Sequence, residues 1–111
     1  MPTYFKTLNT GSISAGSTVN KDWTPDTDII IRKVMLIEKN DQSLSNVDVT
    51  ITIADVPFTR DYVPGSALGT DPEYCWKPDL EVSKGSKILF SIKNNTSSSV
   101  NIDIVIEYEK R

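Results

Sequence analysis

The chain has 111 residues, with 12 Lys plus Arg against 15 Asp plus Glu, hydrophobic residues at 38%, one Cys and no His, for a formal net charge of −3. That length and apolar content build a single core, a domain spanning residues 1–111, without disulfide staples. The missing His removes the Ser-His-Asp and Cys-His nucleophile systems, imidazole zinc sites and the usual general base near neutral pH.

The acidic balance offers no basic face for duplex nucleic acid, so no nucleic-acid partner is expected. No apolar run approaches the length that spans a bilayer, and Met1-Pro2-Thr3-Tyr4 is not a charged segment leading into an apolar one. Neither membrane insertion nor a secretion signal is expected. Cys75 has no internal partner for a disulfide and reads as a small buried side chain.

No stretch of ten or more residues carries a persuasive 3.6-residue apolar period, whereas several alternate with period two, which predicts an almost entirely β protein. In chain order, Tyr4–Asn9, Ile13–Ser14 and Thr18–Trp23 are short strand candidates. In Asp28–Lys39, Ile29, Ile31, Met35 and Ile37 share one parity, while Ile30, Val34 and Leu36 share the other. Either a strand covered on both faces or a bulged strand that switches faces near Arg32-Lys33 fits this pattern. A short amphipathic helix, capped at Asp28, competes with both.

Val47, Val49, Ile51 and Ile53 then alternate with Asp48, Thr50 and Thr52, a strand buried on one side. Weaker segments follow at Phe58–Val63 and Leu80–Ser83. Ile88, Phe90 and Ile92 face inward against Lys87, Ser91 and Lys93, leaving Leu89 apolar on the outer side. Val100, Ile102, Ile104, Ile106 and Tyr108 form the inward row of the last strand.

Turn residues at Ser14–Ser17, Asn40–Ser43, Val63–Ser66, Gly69–Pro72, Ser83–Ser86 and Asn94–Ser99 separate these segments at the spacing of a sandwich or barrel. Ser14-Ala15-Gly16-Ser17 and Ser83-Lys84-Gly85-Ser86 share a Ser-x-Gly-Ser pattern and read as hairpin turns with a left-handed Gly. The long loop at about 59–78, Thr59 to Pro78, holds either a short strand near Tyr74-Cys75-Trp76 or a flap across one end of the domain.

The run Leu80-x-Val82-x-Lys84-Gly85-Ser86-x-Ile88-x-Phe90-x-Ile92-x-Asn94-Asn95, followed by Val100-x-Ile102-x-Ile104-x-Ile106, goes with Gly16-Ser17-x-Val19 leading into Trp23-Thr24-Pro25. Together they resemble small jelly-roll β-sandwich modules, found in virion coat, turret, fibre and decoration proteins and in carbohydrate-binding modules. The resemblance covers most of the chain. It is one of architecture and carries no functional residue to transfer. It implies a single antiparallel β-sandwich of jelly-roll type, with about seven to nine strands.

Candidate sites follow from residue chemistry. Asp26 with Asp28, Asp71 with Glu73, and Asp79 with Glu81 are acid pairs two residues apart, the spacing that would aim two carboxylates the same way for glycoside hydrolysis. They read better as solvated turn formers, and the chain is expected not to be an enzyme and to need no cofactor. Asp26, Asp28, Asp71 and Glu73 are the oxygen ligands available to calcium, without the spacing of an EF-hand loop. Tyr62, Tyr74 and Trp76 of the long loop, with Trp23, are the aromatic platforms available to a glycan. The tryptophans alternatively cover the end of the core.

Leu89, Val105 and Ile30 are apolar at outward positions and mark a self-association surface. Asn94-Asn95-Thr96 and Asn95-Thr96-Ser97 are overlapping glycosylation sequons in a loop. The expected function is that of a non-enzymatic structural or attachment protein of virion coat or decoration type, acting as a homo-oligomer or in a larger assembly. The alternative is a carbohydrate-binding module using the loop aromatics.

Overall fold

The computed structural model describes residues 2–40, 43–54, 56–57, 63–65, 69 and 75–111. Its strands are β1 (Thr3–Ile13), β2 (Thr18–Trp23), β3 (Ile29–Glu38), β4 (Val47–Ile53), β5 (Val56–Pro57), β6 (Val63–Pro64), β7 (Leu80–Val82), β8 (Ile88–Asn94) and β9 (Val100–Lys110). Among the described residues there is no helix. One antiparallel sheet has the order β1-β9-β3-β7 and the other β2-β8-β4-β5, with β6 also pairing β4. The inward rows of both sheets meet in one core, so the molecule is an all-β antiparallel sandwich.

The alternation explains which residues meet. Val47, Val49, Ile51 and Ile53 of β4 and Ile88, Phe90 and Ile92 of β8 are buried from one sheet, and Val100, Ile102, Ile104 and Ile106 of β9 from the other. Polar neighbours on the same strands stay half-exposed, as a pleat buried on one face requires. Asp28–Lys39 resolves as a bulged strand. Ile31 pairs Tyr108 and Lys33 pairs Glu107, so Arg32 is an extra residue on β3 and the inward parity changes across it. Ile29 and Ile31 are buried in the core before the bulge, Val34 and Leu36 after it.

A second register shift divides β1, which the sequence pattern had split into two segments. Asn9 pairs Asp103 and Ser12 pairs Asn101, with Thr10 and Gly11 between them. Gly11 takes φ +70°, and the Thr10 hydroxyl accepts the Ile102 N–H at 3.1 Å, so the extra residue leaves that donor satisfied.

The two Ser-x-Gly-Ser turns are not hairpin turns. β1 and β2 lie in different sheets, as do β7 and β8, so each turn carries the chain across the sandwich. Both close with the same backbone bond, Ser17 N to Ser14 O at 3.0 Å and Ser86 N to Ser83 O at 3.1 Å. Gly16 and Gly85 sit at φ +79° and +85°, where a side chain would be strained. The shared pattern therefore reflects equivalent corners.

Asn94 ties the end of β1, at its corner with β2, to the turn between β8 and β9, and is fully buried. Its Nδ2 donates to Ile13 O at 2.9 Å and Ser98 O at 2.8 Å, and its Oδ1 accepts the Thr96 N–H at 2.9 Å and hydroxyl at 2.6 Å. This also corrects the reading of the first sequon, because a buried amide committed to two carbonyls cannot accept a glycan. Asn94→Ala strands these groups in the interior and is expected to lower stability by about 1–3 kcal/mol in urea denaturation. A loss of under about 0.5 kcal/mol, the range of surface substitutions, would show that the corner does not depend on it.

Candidate functional site

The acidic candidates separate first. Asp28 is a structural acceptor: its Oδ1 accepts the Lys84 N–H at 2.8 Å, and its Oδ2 lies 3.8 Å from Arg111 Nη2. Asp26 is exposed two residues away. Asp71 and Glu73 lie outside the described residues, and among the described residues no three His, Cys, Asp or Glu side chains cluster as metal ligands would. Asp79, at φ +46°, pairs with Arg32 Nη1 at 3.1 Å, and Glu81 pairs with Arg111 Nη1 at 3.2 Å. These two carboxylates therefore serve different cations. Arg32 also bonds Glu109, and the two carboxylates together raise the already high guanidinium pKa, Glu109 contributing most.

Of the proposed aromatic platforms, Tyr62 and Tyr74 lie outside the described residues. Trp76 is half-buried against the core, and its carbonyl accepts the Val34 N–H at 2.9 Å in an isolated antiparallel bridge. That bridge is all of the expected strand near 74–76 that the described residues contain. Cys75 beside it is half-buried rather than buried.

Trp23, the last residue of β2, is on the core-facing side and opposite Ile88. It joins a ladder with Tyr4 and with Tyr108, the last inward residue of β9. The Trp23 and Tyr108 ring centres are 5.0 Å apart at 55°, and those of Tyr108 and Tyr4 are 5.5 Å apart at 24°. Lys6 Nζ stands 5.9 Å from the Trp23 ring centre and Lys110 Nζ 4.9 Å from that of Tyr4. The ladder links the two sheets at one end of the sandwich through cation–π and aromatic contacts, with Tyr4 left partly exposed.

The outward apolar positions fall on both sheets. Leu89 is half-buried on the outer side of β8, between Asp22 and Thr52 across the strands. Ile30 is half-buried between Glu109 and Glu81. Val105 has apolar company. It lies opposite Met35 on β3 and Thr7 on β1, with Phe5 and Ile37 one row away on either side. Met35 is 5% exposed although it faces away from the core, while Phe5 is 61% and Ile37 41% exposed.

Lys33–Glu107 and Lys39–Asp103, each at 3.9 Å, flank this row. An apolar centre with charged surroundings is the anatomy of a protein interface. Met35 and Ile37 escaped sequence reasoning because their facing depends on where the extra residue of β3 falls. The free choice of parity in Asp28–Lys39 was the only available signal.

Compared with family models, with curated proteins and with solved structures, the chain matches none. Among the described residues no helix is long and apolar enough to cross a membrane.

The ladder makes Tyr108 a structural residue. Tyr108→Ala is expected to cost about 2–3 kcal/mol in urea denaturation and to change the fluorescence of Trp23 in the folded state. An unchanged midpoint would mean that the rings do not brace the sheets.

Proposed function

We propose that this chain is a non-enzymatic structural or attachment component, of virion coat or decoration type, that works by assembling with further copies of itself. The observation that carries the reading is the outer face of the four-stranded sheet around Val105, where Phe5 and Ile37 are exposed one row away on either side and Met35 is already covered within the chain. Exposed apolar side chains on an outer face, bordered by ion pairs, suit a partner surface better than solvent.

The strand order supports a jelly roll. The chain crosses between sheets at every described connection except those joining β4, β5 and β6, and the edge strands β1 and β2 pair with β9 and β8, as in two Greek keys wrapped on one another. The lack of His supports a role in contact rather than catalysis.

The second reading, a carbohydrate-binding module, has less in its favour. Trp23 and Trp76 are engaged with the core, and nothing described brings them together with the loop tyrosines.

Light scattering on the purified chain at tens of micromolar is expected to give a mass above that of one copy. Val105→Glu should weaken the association about tenfold or more by placing a charge at the centre of the patch. A mass of one copy at every concentration, unchanged by the substitution, would sink the reading.

A further inference from the structure

We propose that the open edge of the sandwich between β1 and β2 binds an oxyanion, a sulfate, phosphate or carboxylate group carried by a larger ligand, between Lys6 and Lys21 beside the Trp23 ring. This inference is independent of the assembly surface, which lies on the outer side of the four-stranded sheet.

Both lysines occupy inward positions. Lys6 is opposite Ile106 on β9 and Lys21 is opposite Phe90 on β8, and both of those partners are core residues. The other inward residues of the same strands, Leu8 on β1 and Val19 and Trp23 on β2, pack against the core. Lys6 and Lys21 are half-buried there.

The Lys6 ammonium reaches the Trp23 ring, 5.9 Å from its centre. Lys21 is on the same face two residues earlier, roughly 7 Å away along an extended strand. Lys6 and Lys21 are thus inward lysines on the two edge strands, Lys6 at the Trp23 ring and Lys21 two positions before that ring on β2. Among the described residues neither has a carboxylate within 4.0 Å, whereas Arg32, Lys33, Lys39 and Arg111 each have one. The nearest acid in sequence, Asp22, has the opposite parity and lies beside Leu89.

Inward lysines on edge strands also discourage sheet-to-sheet addition. One inward lysine on each edge meets that role, which is served equally well with a carboxylate beside each, so it leaves only the missing counter-charges unexplained. Two half-buried like charges without a counter-charge repel each other more than they would in bulk water. A bound oxyanion removes that repulsion and leaves the edge protected.

The test uses the full chain labelled with ¹⁵N. It has two tryptophans, so its two indole N–H signals report separately on the edge and on Trp76. Sodium sulfate, sodium phosphate, a sulfated oligosaccharide and a hexuronate oligosaccharide are titrated against sodium chloride at matched ionic strength. The expected result is a saturable shift of the Trp23 indole with the Trp76 indole unmoved. The arm that saturates lowest identifies the source of the group.

Lys6→Gln and Lys21→Gln are each expected to weaken the effect about tenfold, while Lys6→Arg and Lys87→Gln leave it in place. Shifts that stay linear in every arm, or that move both indoles alike, would overturn the proposal and leave the lysines as edge guards only. The wild-type comparison of the two indoles decides this even where a Gln variant associates through its unguarded edge.

Discussion

The single extra residue in β3 is the constraint on which the rest of the structure depends. Period-two alternation can bury only one parity of a strand, yet Ile29, Ile31, Val34 and Leu36 are all in the core. Inserting Arg32 between the pairs Ile31–Tyr108 and Lys33–Glu107 makes both halves of the strand inward-facing in turn. It also leaves the guanidinium on the outer side, where Glu109 and Asp79 hold it. The same shift decides what the outer face presents. Met35 and Ile37 become outward residues, and Val105 gains an apolar neighbour instead of standing alone.

How much of this was legible in the sequence follows from the same physics. The strands β4, β8 and β9 alternate without interruption, so their inward rows could be read directly and stand in the core as expected. For β3 a bulged strand near Arg32-Lys33 was one of three patterns that fit, beside a strand covered on both faces and a short helix; period alone neither chooses among them nor places the extra residue, and the outward row stayed hidden with it. The corners misled for a related reason. A turn with a left-handed Gly has the same local chemistry whether it joins neighbours in a sheet or crosses to the opposite sheet, so Gly16 and Gly85 could not distinguish the two. Trp23 was visible as an aromatic residue, but its partners Tyr4 and Tyr108 are brought to it only by the pairing of β1 with β9.

Sheet edges limit how such a sandwich can meet its copies. β1 is long and interrupted by the Thr10-Gly11 bulge, and it carries an inward lysine, as does β2. The far side of β3 is taken first by β7 and then by backbone carbonyls, Trp76 O accepting from Val34 N and Gly69 O from Leu36 N at 3.0 Å. The far side of β4 is taken by β5 and β6. Bulges, inward charges and covered donors are the devices by which natural sheets resist adding a further strand. The exposed apolar residues Phe5 and Ile37 lie instead on the outer face of the four-stranded sheet.

β9 belongs to both the core and the outer face, because its two parities serve different contacts. Its inward row runs from Val100 to Ile106 in the core and ends in Tyr108 at the centre of the aromatic ladder. Its outward row runs through Asp103, Val105 and Glu107, the middle of the patch and two of its flanking ion pairs. Of the ladder's rings only Trp23 was legible as a sugar platform. In the fold Trp23 has Tyr108 and Lys6 against it, and Tyr4, which stays partly exposed, has Tyr108 and Lys110. The proposed contacts are apolar on the outer face and cationic at the open edge. The backbone of β9 separates them by the thickness of one sheet, so a substitution in one row can test its contact without removing a side chain of the other.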